Sequence, residues 1–294
     1  MEMSFAPITL EAWCNDYEQL IRTQPLKANT IRDRLNYVRH LRNALGGRIL
    51  QEIEPLDVLR VLRTLEDAGT PYMRRRVRIE AIQLFNEAII ARRTRYNPAA
   101  AIRYWPTRPA RSRLSFEHWA TIRAWATAHG MEWFALALDL ALVTGQRRAD
   151  LVALAPTAIV DGHLRVHQQK TGSRIALPLE LHLHAADLRL GDVVERLLAH
   201  GAPGPTLLRK RDGRPYSTGH LSNTFKEARK AALPGYTWAE GRRPPSLHEI
   251  RSLSERLYRR QGLDTMTLLG HTRQSMTDAY NDARGLEDWR VLAI

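Results

Sequence analysis

Apolar positions spaced three and four apart recur through the first hundred residues and predict four helices. Leu10, Trp13, Tyr17, Leu20 and Ile21, entered from Ile8-Thr9, form the first such stripe. A second, Ile31, Leu35, Val38 and Leu41, predicts a helix capped at Asn29 or Thr30, with Arg32, Arg34, Arg39 and Arg42 on the other face. Pro55 or Asp57 opens a third through Leu59, Val61, Leu62 and Leu65, and Gly69 closes it. The fourth runs over about 72–92 and carries Arg74, Arg75, Arg76 and Arg78 in its first turns. Positive charge there opposes the helix dipole at a cost of a few tenths of a kcal/mol, roughly, unless an anion lies alongside. Those arginines face either a polyanion or solvent.

The pattern then breaks. Residues 103–113 read Arg-Tyr-Trp-Pro-Thr-Arg-Pro-Ala-Arg-Ser-Arg, with prolines and cations and no acid, which predicts an extended chain. The organisation expected is a helical domain over 1–103, a basic linker over 104–113 and a second domain over 114–294 with a tail at 281–294. A cationic tether containing Arg108, Arg111 and Arg113 suits a clamp around a duplex, although a plain linker looks similar. Ser115 is an N-cap candidate for a helix through Trp119, Ile122 and Trp125, and 133–143 is apolar enough for a buried helix. Thr144-Gly145-Gln146-Arg147-Arg148 interrupts it, and 149–154 starts another. Over 158–179 the period changes to that of a three-stranded antiparallel sheet, with turns at Asp161-Gly162 and at Lys170-Thr171-Gly172-Ser173. Helical patterns return near 191–200, 217–231, 246–261 and 264–269, and Trp289 to Ile294 alternates as a short strand. The fold class is therefore mainly α with a small antiparallel sheet, α+β.

Charge narrows the partner. There are 44 Lys+Arg against 31 Asp+Glu, a net charge of +13. A surplus of this size fits a polyanion, because displaced counterions drive nucleic-acid binding; a basic protein with no such partner is the competing reading. Lys27, Lys170, Lys210, Lys226 and Lys230 are the only lysines, so arginine, the better bidentate phosphate ligand, supplies nearly all the cations. A single cysteine, Cys14, excludes an internal disulfide and a multi-cysteine zinc site. No histidine spacing suggests a metal, so no metal or other cofactor is expected. Neither a membrane-length apolar run nor a secretory leader stands out, which makes the cytoplasm the expected location.

Candidate chemistry lies in the second domain. Tyr280 follows His271 by nine residues, and His248 and Arg251 are three apart on a predicted helix. A phenol, with a pKa of about 10, attacks well only where cations stabilise the charge it meets and a base takes its proton. Arg147, just past Thr144-Gly145, is held by backbone or merely caps a helix. Asp150 either orients it or caps the next helix. Lys170, at a turn in an arginine-rich chain, is either a solvated lysine or a group kept for its transferable proton. Each of these residues alone has an ordinary structural explanation, Tyr280 as a packed aromatic above all.

In order, however, Thr144-Gly145-Gln146-Arg147, Lys170-Thr171-Gly172, His248-Glu249-Ile250-Arg251, Leu269-Gly270-His271 and Tyr280 resemble the tyrosine recombinase family, most closely its phage lambda-type integrases. The resemblance spans nearly the whole chain, with 8–100 similar to the core-binding domain and 114–294 to the catalytic domain. It implies a site-specific recombinase that cleaves and rejoins DNA through a 3′-phosphotyrosine, with duplex attachment sites as substrate and a homotetramer on DNA. A DNA-bending protein or a directionality factor is an admissible partner. Tyr280 would be the nucleophile, Arg147 and Arg251 the phosphate clamp, and His248 the proton acceptor. Lys170 would protonate the leaving 5′-oxygen and His271 would bond the phosphate, with Asp150 in support. No metal is implied, because the covalent bond keeps the energy of the broken linkage. Two alternatives are a type IB topoisomerase-like enzyme and a non-catalytic DNA-binding protein on the same scaffold. The arm-binding domain of lambda-type integrases has no counterpart in the sequence, so either arm sites are dispensed with or the chain is part of a longer one. The tail would pack between subunits or within its own.

Overall fold

The computed structural model describes residues 6–104, 106, 111–239, 241–282, 284 and 286. The chain divides into two compact units, 1–109 and 110–294. In the first, α1 (Leu10–Thr23), α2 (Ala28–Leu45), α3 (Pro55–Asp67) and α4 (Pro71–Ile90) enclose one core. Thr9 caps α1 by accepting from the Ala12 amide at 3.2 Å. Pro55 and Pro71 occupy first turns, where a missing N–H costs nothing. The second helix starts at Ala28, earlier than Asn29 or Thr30 would have it. No side chain caps it, and the Lys27 carbonyl accepts from the Thr30 and Ile31 amides.

Several of the arginines expected to meet DNA hold this unit together instead. Arg34 bonds both Glu80 carboxylate oxygens and also Tyr17, Gln24 and Gln83. Arg74 is buried and paired with Glu66. Arg78 is half-buried and donates to the Ile102 carbonyl at 2.9 Å. The α2 and α4 stripes carry cations on two sides, and periodicity cannot tell the side packed on a neighbouring helix from the open one. Arg32, Arg39, Arg75 and Arg76 are exposed.

The second unit is built around α6 (Glu132–Thr144), apolar on all sides and buried from Phe134 to its end. Its one charged interior residue, Asp139, is matched by Arg123 and Arg196. Before it comes α5 (Phe116–Ala128), capped by Ser115; after it, α7 (Arg148–Ala153). Strands β1 (Ile159–Val160), β2 (His163–His167) and β3 (Arg174–Pro178) form the expected antiparallel sheet, with Val166 opposite Ile175 and His167 opposite Arg174. Alternate residues Leu164, Val166, Ile175 and Leu177 are buried. Then follow β4 (His182–Leu183) and β5 (Leu188–Arg189), a two-residue ribbon too short to show a period, and α8 (Leu190–Ala199) and α9 (Thr218–Ala232). The chain continues through α10 (Glu249–Arg260), α11 (Thr265–Leu269) and a further short α12 (Gln274–Asp278) ahead of Tyr280. Arg108 and the strand expected over 289–294 lie outside the described residues.

Candidate active site

Four breaks in regular structure converge in the second unit. The first is the end of α6, where Gly145 adopts φ +63°. A side chain there would be strained by the dihedral and would put its Cβ 2.9 Å from the Ser254 hydroxyl. The glycine lets the backbone carbonyl reach Arg251, whose Nη1 donates to it at 2.7 Å. The second is the end of α11, where Gly270 at φ +63° turns the chain so that His271 follows directly. The other two are the β2–β3 hairpin turn and the start of α10.

Arg251 is 1% exposed. Its Nη2 donates to the Leu269 carbonyl at 2.6 Å and lies 3.0 Å from His271 Nε2. Burial, then the neighbouring Arg147 charge, lowers its guanidinium to about 10, so it stays charged at neutral pH. Because Arg251 can only donate, the facing His271 Nε2 is an acceptor. His271 Nδ1 meets the buried Thr277 hydroxyl at 2.9 Å. A hydroxyl can accept or donate, so the ring can pass to the Nε2–H form when an anion replaces Arg251 as its neighbour.

Tyr280 sits over these groups. Its ring centre is 5.5 Å from the Arg251 guanidinium carbon and 5.4 Å from the His271 ring. Its hydroxyl lies 3.3 Å from His248 Nε2. Ser252 Oγ donates to the Tyr280 carbonyl at 2.6 Å, which ties the segment to α10. His248 occupies the N-cap of α10 rather than its interior. Its ring is exposed on one side, yet crowded desolvation and then the charges of Arg251, Arg147, Lys170 and Arg113 lower it from 6.5 to about 4. His248 is therefore neutral at pH 7 and able to accept a proton.

Arg147 reaches Gln168 Oε1 at 2.6 Å. Gln168 has no exposed surface and is the hub of the site. The same Oε1 accepts from Thr171 at 2.8 Å, and Nε2 donates to Gln146 Oε1 at 2.8 Å and to the Leu269 carbonyl at 3.0 Å. Leu269 O is the carbonyl that also takes Arg251. One amide thus sets Arg147, the turn carrying the exposed Lys170, and the Arg251 cradle in a single frame. Asp150 acts on the Lys170 turn: its Oδ1 accepts from the Gln169 amide at 2.8 Å and anchors that turn to α7, while its charge also favours the nearby Arg251 cation. Replacing Gln168 by Leu is expected to cost roughly 2–4 kcal/mol, since each buried partner left unmatched costs about 1–3 kcal/mol. Urea unfolding measures this directly.

Sequence reading passed over Gln146, Gln168 and Thr277. Buried amides look like any polar residue in a string, and the only available clue was that Gln146 and Gln168 stand beside Arg147 and near Lys170. It placed Arg113 wrongly. That side chain is 2% exposed and engaged inside the unit, because the linker turns inward before 114. Arg111 is exposed and donates to the Pro244 carbonyl at 2.9 Å. Among the described residues no cluster of His, Cys, Asp and Glu could hold a metal, and no helix is long and apolar enough to cross a membrane.

The arrangement can hold an oxyanion between two guanidiniums while a phenol beside a neutral imidazole attacks it. Desolvation, then Arg251 and Arg147, also lowers His271 to about 4. Unfolding between pH 6.5 and 4 therefore takes up protons that the folded state does not hold. Stability is expected to fall as pH drops through that window, less so in His271→Gln, as a pH series of thermal melts would show.

Comparison with known proteins places these features in context. The profile of the Phage integrase family matches residues 118–286, and that of the Phage integrase central domain matches 10–104. Prophage integrase IntE of Escherichia coli (strain K12) is 36% identical over 98% of this chain and 78% of its own length. The integrase of Escherichia phage lambda is 33% identical over 98% and 79%. The solved lambda integrase tetramer bound to a Holliday junction superposes with a TM-score of 0.91 at 31% identity, covering 98% of this chain and 81% of that one.

Proposed function

This chain belongs to the phage integrase family of tyrosine recombinases, and from that premise we propose that Tyr280 is the nucleophile of its DNA-cleaving site. It is a site-specific recombinase, an enzyme that breaks and rejoins DNA by transesterification. The observation that carries the residue assignment is the phenol oxygen 3.3 Å from a neutral His248 and stacked near Arg251.

In this reading Tyr280 Oη attacks the scissile phosphorus as its proton passes to His248. A 3′-phosphotyrosine forms, and the bond to the 5′-oxygen breaks. Arg147 and Arg251 donate to the non-bridging oxygens as charge builds on them. Lys170, on its hairpin tip, protonates the departing 5′-oxygen. His271 switches tautomer through Thr277 and donates to the phosphate. Religation reverses the steps with the other strand's 5′-hydroxyl, so no external energy source enters.

The substrates we propose are duplex core sites that this protein exchanges as a tetramer, as the junction-bound lambda integrase assembly suggests. Integration of a phage or mobile element, with excision as its reverse, is the biological setting, in the cytoplasm of a bacterial host. The 1–103 unit would be the core-type DNA-binding domain, with exposed Arg32, Arg39, Arg75 and Arg76 as its candidate DNA contacts.

The test is to incubate the protein with random-sequence duplexes and sequence what stays attached through SDS. Attachment at one recurrent sequence is expected; uniform attachment would favour topoisomerase-like action, and none would leave a binding protein. A second expectation concerns pH. The acid limb of kcat/KM for adduct formation reports the free enzyme and should fall at about 4, far below the unperturbed histidine value of about 6.5. The limb of kcat should lie higher, because bound phosphate offsets the cations around His248. A kcat/KM limb at 6.5 would remove His248 as the proton acceptor.

A further inference from the structure

We propose that Arg113 is a latch that holds the nucleophile segment in its attacking position. The inference rests on Tyr280 being the nucleophile. Arg113 sits between two structures that the reaction must keep in register, and its guanidinium touches both. Nη2 donates to the Ala279 carbonyl at 2.6 Å, the peptide directly before Tyr280. Nε donates to Asp282 on the other side of the tyrosine, to the carbonyl at 3.1 Å and to Oδ1 at 2.9 Å. Nη1 pairs with Glu249 at 2.9 Å, in the first turn of α10 beside His248. The Arg113 backbone amide adds a bond to the Arg284 carbonyl at 2.8 Å.

Tyr280 is therefore bracketed on both sides by one planar cation. That cation is anchored in turn to the helix bearing His248 and Arg251. The segment needs such a grip. The described chain beyond α12 has no regular structure, and its backbone there is tied otherwise by the Ser252 bond and local turns, while the Tyr280 ring rests against Arg251, His248 and His271 and Asp278 pairs with Arg259. Three of its five N–H groups make these four side-chain hydrogen bonds, and at 2% exposure the guanidinium has almost no open surface for a DNA phosphate. Lysine cannot replace it, since one ammonium cannot span Ala279, Asp282 and Glu249.

The experiment compares wild type, Arg113→Met, Arg113→Lys and Asp282→Ala on a nicked suicide duplex under single-turnover conditions. The limiting adduct rate is expected to fall about 10–100-fold in both Arg113 variants, the scale of an ångström-level misplacement, and less in Asp282→Ala. Duplex Kd and its salt slope should not change, and hydrogen exchange over 279–282 should quicken while α10 stays protected. An unchanged rate in the Arg113 variants overturns the latch. So does a salt slope lowered by about one, which marks a phosphate contact. Should the Arg113 variants fail to fold, Asp282→Ala decides, because its side chain is half-exposed and its removal opens no buried hole. A Tyr280→Phe protein that still forms adduct sinks the nucleophile assignment itself, a different outcome from an Arg113 variant that reacts normally.

Discussion

Tyr280→Phe is expected to bind duplex as tightly as wild type and to form no SDS-stable adduct with it. The phenol oxygen lies 3.3 Å from His248 Nε2 and beside the Arg251 guanidinium, and removing it costs about 1–2 kcal/mol of stability. The ring keeps its place beside Arg251 and His271. Chemistry is lost completely because a phosphotyrosine needs the oxygen, and no other tyrosine shares the cradle: Tyr258, on α10, is buried with its hydroxyl on the Val143 carbonyl. The assay is denaturing electrophoresis of a labelled nicked duplex, with binding followed separately by mobility shift. Retained adduct would move the nucleophile elsewhere in the chain.

Arg251→Ala is expected to lower the limiting cleavage rate by roughly 10²–10³, the typical effect of deleting one donor to a developing oxyanion. Two consequences of its burial add to this. The Gly145 carbonyl loses its Arg251 donor, the Leu269 carbonyl is left with Gln168 alone, and His271 Nε2 loses the neighbour that fixes its tautomer. The loss should therefore come with a drop in melting temperature, which separates Arg251 from an exposed cation such as Arg76. Arg251→Lys checks the geometry: a single ammonium cannot serve both carbonyls and a phosphate, so the rate should stay well below wild type with the charge retained. A near-wild-type single-turnover rate in either variant would remove Arg251 from the clamp.

Much of this protein is set by local order in the chain. Three-and-four spacing of Leu10, Trp13, Tyr17 and Ile21 is enough to place a helix. Alternation through Leu164 and Val166 is enough for a strand, because burial on one face imposes the period. The family resemblance was equally legible, since the motifs around Arg147, Lys170, His248, His271 and Tyr280 are short and carry their own turn-forming glycines.

Long-range choices were not legible. Arg34, Arg74 and Arg113 read as DNA-facing cations, and each is committed to a partner far along the chain or across a turn. Whether a guanidinium meets a phosphate or a carboxylate depends on which surface folds against it, and neither composition nor periodicity records that. Gln168 shows the same limit from the other side. Its neighbours in sequence give no hint that one buried amide would bond Arg147, Gln146, Thr171 and Leu269 together, because those partners meet only when the sheet, α6 and α11 pack. The chain alone specified which reactive groups it carries; three-dimensional packing decided which cations remain to meet DNA, since a buried charge must find its partner inside the fold.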